Sequence, residues 1–175
     1  MRGTDRMDKA LGFEEFAGTR TRRLFQVAYL MCGDWHQAQD LVQTTLAKMY
    51  SAWGRLRRGR DEPGLDAYAR KVLLRTYLSQ QRLRRSTEVV TAELPESWAA
   101  QDGGSDLRVT LTAALAQLPP RNRAVVVLRY LEDHSIEAVA EMLGMSNSAV
   151  KSLNTRSLAK LREILGNDRE LFLCG

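Results

Sequence analysis

The stretch HSIEAVAEMLGMSNSAVKSLNTRSLAKLRE, residues 134–163, decides the fold of this chain because it holds two helical patterns separated by one glycine. The first pattern has apolar residues at helical spacing, and Ser135 before it can accept a backbone hydrogen bond as an N-cap. Gly144 suits the left-handed position that ends a helix, and Ser146 can cap the next one. The segment therefore predicts a helix-turn-helix.

The second of these helices separates an apolar stripe from a polar, basic sector. Val150, Ser157 and Leu161 form the stripe that faces the first helix. The opposite sector can enter a DNA major groove, since Lys and Arg reach phosphates or guanine and small hydroxyl residues allow close approach. This sector consists of Ser148, Lys151, Ser152, Thr155 and Arg156. An ordinary helical hairpin with a solvated basic face is the alternative interpretation.

The composition of the chain favours a polyanionic partner. Its 175 residues include 26 Lys plus Arg against 21 Asp plus Glu, which gives a formal net charge of +5. No apolar run approaches the about 20 residues that a membrane-spanning helix needs, and the N-terminal residues lack the apolar core of a signal peptide. We therefore expect a cytoplasmic protein without membrane insertion.

The sequence offers no support for catalytic chemistry. Cys32 and Cys174 are too few and too far apart for a disulfide framework or a zinc cluster, and neither His36 nor His134 belongs to a metal-ligand pattern. Glycine-rich phosphate loops, a nucleophile elbow and paired carboxylates in apolar surroundings are also absent. We expect no catalytic residue, no metal and no cofactor, and predict that the protein is not an enzyme.

The helical periodicity predicts an all-α fold of two small helical domains joined by an acidic flexible linker. The domains cover residues 10–85 and 107–166, with the linker at 86–106 and a tail at 167–175. The linker stretch STEVVTAELPESWAAQDGGSD holds several carboxylates but no Lys or Arg. It is either a solvated spacer or a segment that occupies a positively charged channel in place of nucleic acid.

A long amphipathic helix is predicted after Asp34, which can act as its N-cap. Its polar side is either exposed to solvent or forms the contact surface for a partner protein. Its other side is continuous and apolar, which predicts burial in a core. That side consists of Ala38, Leu41, Val42, Thr45, Leu46, Met49, Tyr50 and Trp53.

Two basic features follow this helix. Residues 51–64 combine glycines and a proline with arginines, which predicts a mobile basic loop that can close on DNA. The next predicted helix, residues 65–85, turns Ala69, Leu73, Thr76 and Leu83 toward the core. Its other face suits single-stranded DNA, since rings stack on bases while cations hold phosphates. That face carries Tyr68, Lys71, Arg75, Arg82 and Arg85. Tyr68 as a packing residue below a solvated basic face is the alternative.

These segments, taken in order, resemble the extracytoplasmic-function (ECF) group of bacterial sigma factors, in the sigma-70 family. YLMCGDWHQAQDLVQTTLAKMYSAW resembles the family helix that docks on the RNA polymerase clamp, and DAYARKVLLRTYLSQQRLRRS resembles the helix that melts and reads the −10 promoter element. LTAALAQLPPRNRAVVVLRYLEDHSIEAVAEMLGMSNSAVKSLNTRSLAKLRE resembles the domain that reads the −35 element. The resemblance covers nearly the whole chain.

The resemblance implies a transcription initiation factor that binds core RNA polymerase, through its β and β′ subunits, and promoter DNA, with an anti-sigma factor as a regulatory partner. The polymerase-docking role falls on Asp40, Leu41, Val42 and Gln43. The −10-reading role falls on Arg55, Arg57, Arg58, Tyr68, Lys71, Arg75, Tyr77 and Arg82. The −35 contacts fall on Ser148, Lys151, Ser152, Thr155 and Arg156.

Three local departures from the family pattern stand out. Tyr68 stands where many members have Trp. Thr76, Ser79 and Gln80 occupy the neighbourhood where many members have an Asn–Asp pair, and Leu153 and Asn154 stand where an Arg and then an apolar residue are common. Two other interpretations stay open from the residues alone. One is an autonomous DNA-binding regulator that uses only the second domain, and the other is an enzyme with an unseen cofactor.

Overall fold

The computed structural model describes residues 2–87 and 106–166, and every regular element in these ranges is helical, which confirms the predicted all-α fold. The first unit consists of α1 (Arg2–Cys32), α2 (Trp35–Gly59) and α3 (Glu62–Thr87). The second unit consists of α4 (Asp106–Ala116), α5 (Pro120–Val126), a π-helical segment (Val127–Leu131), α6 (Ile136–Leu143) and α7 (Asn147–Gly166). Most of the predicted linker, including its Trp98, and the predicted tail lie outside the described residues.

Helix α2 begins as the sequence predicts, because the Asp34 carboxylate accepts a hydrogen bond from the Gln37 amide at 2.8 Å. Most of its predicted apolar face is buried in the core, so that prediction is confirmed. Trp53 anchors the far end of this face, with its ring centroid 5.3 Å from that of Phe13 and 5.1 Å from that of Phe16. The aromatic cluster holds α2 against α1.

The mobile basic loop predicted for residues 51–64 is wrong, because α2 continues to Gly59 and α3 begins at Glu62. Trp53 and Leu56 are buried on this stretch. Their burial outweighs the about 1 kcal/mol that a glycine costs inside a helix. Arg58 Nε also donates to the Gly54 carbonyl at 2.8 Å, in the last turn, where positive charge stabilises a helix end.

Helix α3 buries the predicted core residues Ala69, Leu73 and Thr76. The prediction that Leu83 also faces the core is wrong, since its side chain is 61% exposed. Residues 82–86 project past the packed part of α3, and every side chain there is exposed. Helical periodicity continues into this overhang, but its side chains stay exposed, although the Arg84 guanidinium donates a hydrogen bond to Gln37 Oε1 of α2.

The helix-turn-helix of the second unit is confirmed in detail. The Ser135 hydroxyl accepts from the Ala138 amide at 3.1 Å, and the Ser146 hydroxyl accepts from the Ala149 amide at 3.2 Å, so both predicted N-caps form. Gly144 ends α6 in the left-handed conformation, with φ 64° and ψ 40°. The predicted apolar stripe of α7 is buried.

The π-helical segment joins α5 to the turn before the helix-turn-helix. Its closing bond runs from the Glu132 amide to the Val127 carbonyl at 3.1 Å, which spans one residue more than an α-helical bond. Val127 and Leu128 stay in the core, whereas Tyr130 is 49% exposed. The wide turn therefore keeps one side of the segment buried while it directs Tyr130 to the surface.

Arg123, which is buried, is one of the residues that join the two units. Arg123 Nη1 donates to the Met31 carbonyl at 2.6 Å, and its Nη2 donates to the carbonyls of Ala116 and Leu118 at 2.8 and 3.1 Å. Met31 and Ala116 lie at the C-terminal ends of α1 and α4, where carbonyls lack helical partners. One guanidinium group therefore stabilises the ends of two helices that belong to different units.

Candidate nucleic-acid interface

The basic face of α7 is exposed as predicted. Ser148, Lys151, Ser152, Thr155 and Arg156 are all exposed. The Thr155 hydroxyl donates to the Lys151 carbonyl at 3.1 Å, and Arg156 Nε donates to the Ser152 carbonyl at 3.3 Å. Neither Lys151 nor Arg156 forms a salt bridge with a carboxylate within the described part of the chain. These two positive charges are therefore available to an anionic ligand.

Leu153 and Asn154 occupy distinct positions in α7. Leu153 is half-buried and packs on the core. Asn154 lies at the edge of the packed side, where its Nδ2 donates to the Tyr130 hydroxyl at 3.0 Å. A polar residue is tolerated there because the exposed tyrosine provides a partner. This hydrogen bond ties α7 to the π-helical segment.

The basic residues of the first unit lie on α2 and α3. Arg55, Arg57 and Arg58 are exposed on the last turns of α2, and Arg75 and Arg82 are exposed on α3. Tyr68 is half-buried, and the Arg60 guanidinium lies 5.0 Å from its ring centroid. The Tyr68 ring therefore packs partly against the core and also contacts a cation of the same chain, and base stacking on it stays a prediction.

Tyr77 does not lie on this surface, although the family resemblance assigns it a −10 role. Its side chain is 0% exposed, and burial raises the pKa of its hydroxyl to about 12. Its hydroxyl has no hydrogen-bond partner among the described residues. The spacing from Leu73 places both residues on one side of the helix, and that spacing was the sequence signal for a core position.

The four residues that resemble the polymerase-docking segment divide into two pairs. Asp40 and Gln43 are exposed, whereas Leu41 and Val42 are buried in the core of the first unit. Only the polar pair presents side chains to a partner in this arrangement. The apolar pair fixes the position of α2 beneath it.

Contacts between the units bring further charged residues close to the basic stripe of α3. Lys71 Nζ lies 3.9 Å from Glu141 Oε1 at the start of this contact. Farther along, a cavity of about 390 Å³ is lined by arginines from both units together with Pro119 and Pro120. These arginines are Arg75, Arg82 and Arg85 of α3 and Arg121 of α5. The second unit therefore contacts the edge of the face predicted to bind single-stranded DNA, while Arg75, Arg82 and Arg85 on that face stay exposed.

Sequence reasoning missed Arg123 and Glu132, the two residues that organise this contact. Glu132 accepts hydrogen bonds from Arg23 Nε at 3.3 Å and Arg70 Nε at 2.8 Å. Its partners lie 109 and 62 residues away in the chain. No local pattern marks such a pair, and only the apolar run around Arg123 indicated that this arginine is buried.

In the part of the chain that the structure describes, no group of three or more His, Cys, Asp or Glu side chains could hold a metal ion. The Cys32 thiol is free, and burial raises its pKa to about 12. Among the described helices, none is both long and apolar enough to cross a membrane.

The fold and these exposed basic faces define a two-unit helical protein of the DNA-binding class, with a helix-turn-helix as its second unit. The family model described as sigma-70 region 2 matches residues 3–87, and the model for sigma-70 region 4 matches residues 114–163. The RNA polymerase sigma-E factor of Streptomyces coelicolor is 42% identical over 161 residues, which cover 91% of this chain and 89% of that protein. The chain belongs to the sigma-70 family of RNA polymerase sigma factors, in the ECF group.

Other relatives agree with this assignment. The ECF RNA polymerase sigma factor SigE of Mycolicibacterium smegmatis is 29% identical over 163 residues, covering 87% of this chain and 61% of that protein. The sigma factor RpoE of Bartonella quintana, solved in complex with the anti-sigma factor NepR, has a TM-score of 0.71 at 26% identity, covering 89% of this chain and 97% of that one. CnrH, solved with the cytosolic domain of CnrY, shares the fold with a TM-score of 0.63 at 22% identity. The resemblance inferred from the sequence is confirmed.

Proposed function

We propose that this sigma factor directs core RNA polymerase to promoters with −35 and −10 elements and assists DNA melting, while the polymerase carries out the phosphoryl transfer. The observation that carries this proposal is the presence of two separate basic faces, on α7 and on α3, in one chain. Two faces suit two promoter elements. An autonomous regulator would need only the helix-turn-helix face.

The −35 role is proposed for the exposed sector of α7. Lys151 and Arg156 can contact phosphates or the acceptor edge of guanine in the major groove. The hydroxyl residues Ser148, Ser152 and Thr155 allow the helix to approach the DNA backbone closely. Asn154 is not part of this set because it bonds to Tyr130.

The −10 role is proposed for arginines of α2 and α3 around Tyr68. Arg75 and Arg82 can hold the phosphates of a separated strand, and Lys71 can join them when it is released from Glu141. Stacking of a base on the Tyr68 ring is worth about 1–3 kcal/mol, which offsets part of the cost of extruding a base from the duplex. Tyr77 is left out because it lies in the core.

Polymerase docking is proposed for the exposed edge of α2 around Asp40 and Gln43, facing the β and β′ subunits, with Leu41 and Val42 as its buried support. We assign the domains to residues 10–85 and 107–166, the linker to 86–106 and the tail to 167–175.

An anti-sigma factor is the proposed regulator, since the related sigma factor from Bartonella quintana was solved with one. The proposed location is the bacterial cytoplasm.

A reconstituted transcription assay tests the proposal. Purified core RNA polymerase, this chain and fragmented genomic DNA are combined, and the 5′ ends of the transcripts are sequenced. We expect new start sites that share two upstream motifs. Lys151→Ala should weaken these transcripts, whereas Lys160→Ala should not, because Lys160 lies off the DNA sector and pairs with Glu163. DNA binding without polymerase-dependent transcripts would favour the autonomous regulator.

A further inference from the structure

We propose that the cleft between α3 and the start of α5 is a binding site for a small oligophosphate anion, that is, a ligand with two or more linked phosphates. Four arginines line this cleft, which we call the arginine cleft. They are Arg75, Arg82 and Arg85 of α3 and Arg121 of α5. The site does not depend on the proposed promoter functions, and only its competition with DNA rests on the proposed −10 role of α3.

The arginine cleft takes most of its charge from one stripe of α3. Arg75 and Arg82 are seven positions apart, which is about two helical turns, so their side chains leave the helix in nearly the same direction. Arg85 follows about one turn farther on. Arg121 lines the cleft from the first turn of α5, directly after Pro119 and Pro120, whose rings restrict the backbone there. Guanidinium groups of both units therefore line one concave surface.

The positive charge of this cleft is not balanced by carboxylates. Among the described residues, no Asp or Glu lines the cleft, and none of its four arginines forms a salt bridge. Arginines elsewhere in the first unit are balanced, since Arg20 lies 2.6 Å from Asp66 and Arg70 lies 2.8 Å from Glu132. Like charges around one concave surface repel one another, and a multiply charged anion relieves that repulsion.

The exposure of the four arginines determines which anions bind well. All four are exposed, so a ligand reaches them without any rearrangement of the fold. Each exposed charge contributes little by itself, because water and salt screen it. A useful affinity therefore requires one ligand that contacts several of these arginines at once, which linked phosphates do and a single phosphate does not.

The other properties of the cleft favour a phosphate chain over a nucleobase. Its volume of about 390 Å³ lies within the about 300–1,000 Å³ usual for small-molecule sites. A guanidinium group matches two phosphate oxygens, and the half-buried Ser79 and Gln81 add neutral hydrogen-bond donors. No aromatic side chain is among the described residues that line the cleft, so a base has no ring to stack on.

The arginine cleft shares part of its lining with the proposed −10 surface. Arg75 and Arg82 belong to both, so an oligophosphate and a separated DNA strand would compete for the same guanidinium groups. Arg121 is in neither the −10 set nor the −35 set. A substitution at Arg121 therefore tests the anion site separately from the residues assigned to DNA.

Isothermal titration calorimetry of the full chain in low-salt buffer tests the class of ligand. We expect affinity to increase from phosphate to pyrophosphate to tripolyphosphate, with about tenfold between the first and the last, the factor expected of one added charge-assisted hydrogen bond at an exposed site. Citrate, a compact carboxylate anion, should bind more weakly than tripolyphosphate. Equal affinity for phosphate and tripolyphosphate, or for citrate and tripolyphosphate, would overturn the assignment.

ATP distinguishes between two sources of linked phosphates. Affinity for ATP close to that for tripolyphosphate would show that the site accepts the phosphate chain of a nucleotide. Much weaker binding of ATP would restrict the ligand to free oligophosphates, because the nucleoside would then hinder entry into the cleft.

The location of the site is tested with Arg121→Ala and Arg85→Ala. Each should weaken tripolyphosphate binding about tenfold, and surface substitutions of this kind leave the fold intact. Arg162→Ala is the matched control, since Arg162 is also an exposed arginine but does not line the cleft. It should change the affinity by no more than about twofold, through screened long-range charge alone. Equal losses in the Arg121→Ala and Arg162→Ala variants would refute the site.

A displacement experiment separates this proposal from the proposed −10 role. Fluorescence anisotropy follows a fluorescein-labelled single strand of about 12 nucleotides while tripolyphosphate is added at constant ionic strength. Tripolyphosphate should displace the strand from wild type at lower concentration than from Arg121→Ala. Strand binding without measurable tripolyphosphate binding would overturn the arginine cleft alone. Tripolyphosphate binding that is sensitive to Arg121→Ala but does not displace the strand would support the cleft and count against the −10 role of Arg75 and Arg82.

Discussion

Replacement of Arg123 by alanine should destabilise the whole protein, because this residue stabilises helix ends in both units. It would leave three buried or half-buried carbonyls, those of Met31, Ala116 and Leu118, without their donor. A hydrogen bond to a charged group is worth about 1.5–3 kcal/mol, but these three share one side chain and do not add fully. Removal of the buried charge also recovers its desolvation cost, and Arg123 Nε has no hydrogen-bond partner in the described ranges.

The net expectation is a loss of about 3 kcal/mol in the free energy of unfolding, a large fraction of the about 5–15 kcal/mol typical of a domain. For a protein of this size, that loss lowers the melting temperature by about 6–12 °C. Differential scanning calorimetry and urea denaturation followed by circular dichroism measure the two quantities. Arg123→Lys should fall between wild type and alanine, because an ammonium keeps the charge but not the two-armed geometry.

Arg121→Ala is the matched control. Arg121 lies two positions earlier and is exposed. Its loss should change stability by no more than about 0.5 kcal/mol, as is usual for surface positions. Equal melting temperatures for the Arg123→Ala and Arg121→Ala variants would refute the reasoning, because they would show that the carbonyls at the ends of α1 and α4 do not need this donor.

Three further variants or treatments have defined outcomes. Tyr77→Phe should retain single-strand affinity and keep or slightly raise the melting temperature, since it removes a buried hydroxyl that has no hydrogen-bond partner among the described residues. A large loss of affinity would show that Tyr77 does contribute to strand binding. Gly144→Ala should cost about 1–2 kcal/mol on denaturation because its φ is +64°, whereas Gly54→Ala, with open space around its Cβ position, should stabilise by about 0.5–1 kcal/mol. Iodoacetamide at pH 8 should alkylate Cys32 in urea but not in the native protein, as mass spectrometry can check, because burial raises its pKa to about 12. Rapid labelling of the native thiol would contradict the buried placement.

The parts of the fold that the sequence predicted well are those determined by neighbouring residues. Ser135, Gly144 and Ser146 act on backbone groups within a few positions, so the amino-acid sequence is enough to locate the helix-turn-helix. The exposed basic sector of α7 was predicted from the same periodicity. Local chemistry was sufficient there because tertiary contacts agree with it.

The predictions that failed, and the residue Glu132 that was missed, concern positions whose environment depends on tertiary structure rather than on neighbouring residues. Glycines around residue 54 indicated a loop, but burial of Trp53 and Leu56 keeps the chain helical. Leu83 has the right periodicity for the core but lies on an overhang. Glu132 has the sequence surroundings of an ordinary surface acid, and its role depends on partners 62 and 109 residues away.

The π-helical segment has a consequence for how the second unit tolerates change. Each residue of an α-helix advances the direction of the chain by about 100°, so deleting one residue from Val127–Leu131 would rotate everything beyond it by roughly that angle relative to α5. Tyr130 would then point away from Asn154, and Glu132 would point away from Arg70, although no side chain had been altered in kind. These five residues thus determine, within one turn of the backbone, both the orientation of α7 and the contacts between the two units.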